Sequence, residues 1–223
     1  MSTSLNFQVS KIRTVVFDVG ETLVDESREY GSWADWLGVP RHTFSATFGA
    51  VIARGADHRD TFQIFRPGFD LAAEREARVA AGQPESFGES DLYEDARPSL
   101  AALQAAGLVV GIAGNQPARA ETILRDLNLP ADWIATSDGL GVAKPSPAFF
   151  AAIEQLAGCV ASEILYVGDR LDNDIAPAQA AGMASVFIRR GPWGHILHDD
   201  EVEARCLATI TSLSELPELL ANG

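Results

Sequence analysis

Thr14-Val15-Val16-Phe17-Asp18, running straight into Val19-Gly20-Glu21-Thr22-Leu23, is a short apolar run closed by a carboxylate and then by a turn. A second run, Ile164-Leu165-Tyr166-Val167, ends in the same way at Gly168-Asp169, with Asp172 and Asp174 close behind. Apolar runs of this length, rich in β-branched residues, read as strands buried on both faces of a parallel sheet. Ligands of such sheets sit in the crevice beyond the carboxyl ends of the strands. Carboxylates gathered there repel one another unless a cation or a proton relieves them. The two runs together predict a divalent-metal site that contains a nucleophilic carboxylate.

Six runs of this kind follow along the chain, at 13–18, 108–113, 133–137, 164–168, 184–188 and 206–210. Helical patterns lie between and after them, at 98–106, 118–127, 147–157, 173–181 and 212–221. Ser212 or Ser214 is a plausible N-cap for the last, with Glu215 and Glu218 near its start. Alternation of this kind predicts an α/β fold, a Rossmann-like doubly wound parallel sheet. The pattern breaks once. Residues 26–94 contain no convincing strand. They carry Trp33, Trp36 and Leu37, then Phe44, Phe48, Val51 and Ile52, then Leu71, Ala72, Ala77 and Val79, spaced as on helices. The predicted organisation is a core of 1–25 and 95–223 with a helical cap, 26–94, lying as a lid over the strand ends.

The chain has 223 residues, 47% of them hydrophobic and 22% charged, as expected of a globular protein with a substantial core. A formal charge of −14 argues against nucleic acid or an anionic membrane as partner. Cys159 and Cys206 are its two cysteines, with no metal-ligand spacing, so no thiolate zinc site is expected. A reducing, cytoplasmic setting is the simplest expectation. Met1 to Val9 lacks the charged-then-apolar order of a signal peptide, and no apolar stretch approaches membrane-spanning length.

Asp18 is a competent nucleophile toward phosphorus, and the turn after it offers backbone amides and the Thr22 hydroxyl to an anion. Gly20 allows close backbone approach. Asp169 and Asp174 suit a hard cation such as Mg²⁺, which takes carboxylates, waters and substrate phosphate; Asp172 reads as a helix cap. Lys144, between Ala143 and Pro145 and ahead of a helix, would offset charge on nucleophile and phosphate. Gly114-Asn115, ending the 108–113 run, can donate amide hydrogens to a phosphoryl oxygen.

In this order these elements resemble the haloacid dehalogenase superfamily, and the resemblance covers nearly the whole chain. It implies that the 13–18 strand lies between the 108–113 and 164–168 strands, so that Asp18 and Asp169 share one ion. It also implies a metal set of Asp18, the Gly20 carbonyl, Asp169 and Asp174. Catalysis would fall to Asp18 and Lys144, and phosphate binding to Thr22, Gly114, Asn115 and Lys144. The expected function is Mg²⁺-dependent hydrolysis of a small phosphorylated metabolite through an aspartyl-phosphate, by a monomer or homodimer.

Two departures stand out. Phosphatases of the family carry an acid/base Asp where this chain has Gly20, and Ser or Thr where it has Gly114. Glu21, Glu26, His42 and His58 are candidates for the missing acid/base, and a substrate with a good leaving group would need none. Arg28, Arg41, Arg54, Arg59 and Arg66 in the insertion suit an anionic substrate tail or nearby acids. Two other functions stay open. One is a catalytically silent binding protein. The other is a carbon–halogen hydrolase (a 2-haloacid dehalogenase), which would leave Asp169 and Asp174 without a task.

Overall fold

A computed structural model describes residues 9–221. It divides the chain into two compact units, one formed up to Asp25 and from Leu92 onward, the other Glu26–Asp91.

The first unit is built on six parallel strands: β1 (Thr14–Phe17), β2 (Val109–Gly114), β3 (Trp133–Thr136), β4 (Ile164–Gly168), β5 (Ala184–Ile188) and β6 (Ala208–Ile210). Their order across the sheet is β3-β2-β1-β4-β5-β6. Every residue of β1, β4 and β5 is buried, which is why these strands are continuous apolar runs. β1 pairs with β2 on one side and β4 on the other, with Phe17 level with both Ile112 and Val167. The direction of winding reverses between β1 and β4, and a doubly wound sheet places its ligand site at such a reversal.

Helices cover the strands for local reasons. Pro147–Ala157 starts at the Ser146 cap, whose hydroxyl accepts from the Ala148 amide at 3.3 Å, and stops at left-handed Gly158. Its Phe149, Phe150 and Ile153 pack with Val16 and Tyr166 in one buried cluster. Burying each such phenylalanine contributes roughly 1.5–3 kcal/mol.

One expectation for this unit changes. The last strand begins at Ala208, because Cys206 and Leu207 belong to the turn that follows the short Asp200–Glu203 helix. Residues 191–196 form a helical turn, Gly191–Ile196, with Pro192 in its first turn.

The second unit has four helices: α1 (Ser27–Leu37), α2 (Arg41–Ile52), α3 (Asp60–Phe65) and α4 (Leu71–Ala80). Trp33, Phe44, Phe48, Phe62 and Phe69 are buried in it, and Phe62 stacks on Phe69 at 4.8 Å between ring centroids. The expected apolar face of α4 is absent: Ala72, Ala77 and Val79 are exposed, and the buried residue is Arg78. Its guanidinium lies 4.1 Å from the Trp33 ring and donates to the Ser32 hydroxyl and the Gln83 carbonyl. A flat cation on an aromatic face thus replaces the aliphatic contact that the spacing suggested. Arg28, Arg41, Arg59 and Arg66 each ion-pair with a carboxylate of this same unit. Among the described residues, no helix of either unit is long and apolar enough to cross a membrane.

Candidate active site

β1 delivers Asp18. The Asp18 amide continues the sheet ladder by donating to the Val167 carbonyl at 2.9 Å, so its side chain emerges where the sheet stops. The chain then turns tightly, with the Leu23 and Val24 amides both donating to the Val19 carbonyl at 2.9 Å. Glu21, at φ +52°, is one of two non-glycine residues in the left-handed region among those described. Strain of this kind collects at functional turns.

Asp169 directly follows β4, and the next residues form a wide turn, Leu171–Ile175. Both the Asp174 and Ile175 amides donate to the Arg170 carbonyl, an expanded helical geometry frequent at functional sites. The turn folds Asp174 back, and its Oδ2 accepts from the Arg170 amide at 3.0 Å. Gly168 makes room for it. A Cβ there would lie 2.5 Å from Asp174 Oδ2 and 2.6 Å from its Cγ. Gly168→Ala is therefore expected to cost about 1–3 kcal/mol by crowding, read as a lowered melting temperature; an unchanged melt would contradict the close approach.

Lys144 completes the group. It is 4% exposed, and its ammonium donates to Asp174 Oδ1 at 2.5 Å and pairs with Asp18 Oδ1 at 2.6 Å. Asn115 fixes its backbone, accepting from the Lys144 amide at 2.7 Å and donating to the Lys144 carbonyl at 2.9 Å. Asn115 thus spends its side chain on the lysine loop. Gly114 lies against Asp18, since a Cβ at 114 would stand 2.5 Å from Asp18 Oδ1.

Carboxylate oxygens of Asp18, Asp169 and Asp174 lie within 4.8 Å of one another, and all three residues are buried. Burial, with Asp174, Asp18 and Glu21 nearby, holds the Asp169 pKa well above the usual carboxylate range. Burial and then Asp18 push Asp174 up to about 6. Burial works against the charge on Lys144, yet Asp174 and Asp18 hold its pKa well above that of an ordinary lysine. Three carboxylates against one ammonium leave a formal charge of −2 when all are ionised, which one divalent cation cancels. Asp169 Oδ2 is buried without a hydrogen-bond partner, and so is the Thr22 hydroxyl. Unsatisfied buried polar atoms are costly unless a ligand meets them. The donor set, all oxygen and two of it carboxylates at strand ends, fits a hard cation such as Mg²⁺.

The structure also assembles a support that the sequence reading missed. Arg190 is buried, stacks 4.1 Å from the Tyr93 ring, pairs with Asp95 at 2.5 Å and donates to the Thr22 carbonyl at 3.0 Å. Tyr93 in turn donates its hydroxyl to Glu21 Oε2 at 2.6 Å. The signal for Arg190 was a pair of arginines closing a buried apolar run; Tyr93 carried none.

A family model for haloacid dehalogenase-like hydrolases matches residues 12–182. The chain belongs to that family. A glyceraldehyde 3-phosphate phosphatase of Methanocaldococcus jannaschii is 40% identical over 91 residues, 41% of this chain and 38% of that one. A glyceraldehyde 3-phosphate phosphatase of Pyrococcus furiosus is 28% identical over 229 residues, 94% of this chain and 93% of that one. Three of the curated relatives are matched over 38% to 56% of their own length. Among solved structures, a HAD phosphatase from Thermococcus onnurineus superposes with a TM-score of 0.57 at 25% identity, covering 94% of this chain and 98% of that one. In this chain the Gly168-Asp169 to Asp174 stretch works as one device: the glycine accommodates the second carboxylate that the wide turn returns to the cluster.

Proposed function

We propose that this haloacid dehalogenase-like hydrolase is a Mg²⁺-dependent phosphohydrolase of small phosphorylated metabolites. The observation that carries the reading is the buried trio Asp18, Asp169 and Asp174 around Lys144, with Asp169 Oδ2 left unpartnered.

Asp18, the Gly20 carbonyl and Asp169 would hold the ion, with Asp174 behind them. The chemistry a bound Mg²⁺ supplies there is neutralisation of charge on the phosphoryl oxygens. Asp18 Oδ attacks phosphorus in line and takes the phosphoryl group, which water later removes. Lys144 balances charge on the nucleophile and the phosphoryl group. The Thr22 hydroxyl and the Gly114 amide donate to phosphoryl oxygens, and Asn115 holds the lysine loop in place. Glu26–Asp91 serves as a cap that selects the substrate. With both cysteines free thiols, the reading places the enzyme in the cytoplasm.

The test is phosphate release from a panel including glyceraldehyde 3-phosphate, phosphoglycolate and acetyl phosphate, with Mg²⁺ and with chelator. Release that needs Mg²⁺ is expected, together with a melting temperature that rises with Mg²⁺ concentration and loses that dependence in Asp169→Asn. Gly20 favours a second reading, a silent binding protein, since the side chain that would carry a proton is missing there. Binding of a phosphorylated compound with no release from any of the panel would support it. Chelator-resistant halide release from 2-haloacids would instead favour carbon–halogen hydrolysis.

A further inference from the structure

We propose that this site is built for phosphoryl donors whose leaving group departs without a proton, acyl phosphates as a class. The proposal rests on the phosphohydrolase reading and narrows its substrate.

Apart from Asp169 and Asp174, which the phosphohydrolase reading assigns to the metal ion, the groups near Asp18 in the first unit that could hand a proton to a leaving oxygen are engaged elsewhere. Val19 is apolar and buried, and Gly20 has no side chain. Glu21, the first carboxylic acid after Asp18, is buried and accepts the Tyr93 hydroxyl at 2.6 Å. It is also wedged against Gly191, where a Cβ would come within 2.5 Å of Glu21 Cγ. Tyr166 donates its hydroxyl to the Ala113 carbonyl at 2.8 Å. Lys144 is shared between Asp18 and Asp174, and Asp172 is exposed and paired with Arg170 at 2.7 Å. The Thr22 hydroxyl has no partner, but an alcohol binds a phosphoryl oxygen and is no acid.

The consequence is chemical. When Asp18 Oδ bonds to phosphorus, the bond from phosphorus to the leaving oxygen breaks and that oxygen takes the electron pair. An alkyl phosphate then releases an alkoxide, which requires a proton. An acyl phosphate releases a carboxylate, which requires none. In the second step water attacks phosphorus, the electron pair of the broken bond returns to Asp18, and the proton of water leaves with the phosphate or to solvent. With no side chain of the first unit free to take that proton this step is slow, so the phosphoryl group persists on Asp18. General acid–base catalysis typically contributes about 10²–10⁴-fold.

The experiment compares kcat/KM of the full chain with Mg²⁺ for acetyl phosphate and for the alkyl monoesters glyceraldehyde 3-phosphate and phosphoglycolate. In parallel, the intact mass is measured after acid quench. Acetyl phosphate is expected to be preferred by about 10²–10⁴-fold, with a mass gain of one phosphoryl group that Asp18→Asn lacks. Gly20 is not among the glycines with left-handed backbone, so its φ does not demand glycine. Gly20→Asp is expected to raise alkyl monoester turnover and shrink the mass adduct. Comparable kcat/KM for acyl and alkyl donors overturns the inference and leaves the phosphohydrolase reading standing. No release and no adduct from any donor overturns that reading itself.

Discussion

Asp18→Asn is expected to reduce phosphate release by about 10⁴-fold or more, since the proposed function makes Asp18 the nucleophile and its loss removes the reaction path and not merely a contact. The same substitution is expected to leave the metal-free protein as stable as wild type or more so. Asp18 sits among Asp169 and Asp174 with only Lys144 to offset three carboxylates. Asparagine keeps the shape and removes one of the repelling charges, a trade in which activity and stability move in opposite directions. Phosphate release and thermal melting on the same preparation check both halves. A variant that lost activity together with its fold would mean that Asp18 is structural, and one that kept its activity would move the nucleophile elsewhere.

Lys144→Met should produce the largest change in stability. It removes the cation between Asp18 and Asp174 and takes the formal charge of the ionised cluster from −2 to −3. Breaking a buried ion pair by deleting one partner costs about 3–5 kcal/mol. For a chain of this size that corresponds to a melting temperature lowered by roughly 6–20 °C. Adding Asp174→Asn should recover part of the loss, because the two side chains are bonded at 2.5 Å and their effects are coupled. Additive losses in the double variant, or a melt within a degree or two of wild type for Lys144→Met alone, would show that the ammonium does not hold the cluster together.

Much of this architecture was legible in the residues because the physics that built it is local. Parallel strands buried on both faces have to be apolar throughout, and so β1 and β4 announced themselves, with Asp18 and Asp169 at their ends. Glycines and charges in the Gly168 to Asp174 stretch were equally readable, although the reason for Gly168 emerged only as the space Asp174 occupies. What escaped depended on distant partners. Arg78 is buried because Trp33, on another helix, offers its ring. The Asn115 side chain braces the lysine loop because Lys144 presents both backbone groups to it. Tyr93 and Arg190 lie about 70 and 170 residues from the turn they support, and no periodicity links positions so far apart.

The short contact between Val24 and Leu92, paired in antiparallel fashion, with the Tyr93 amide donating to the Leu23 carbonyl at 3.0 Å, has a consequence for how such a chain can diversify. Departure from the sheet domain at Asp25 and return at Leu92 occur side by side, so the stretch between behaves as a cassette with its two ends already stitched together. Its helices can be lengthened, exchanged or rebuilt while β1, the Asp18 turn and the helix beginning at Ala96 keep their own bonds.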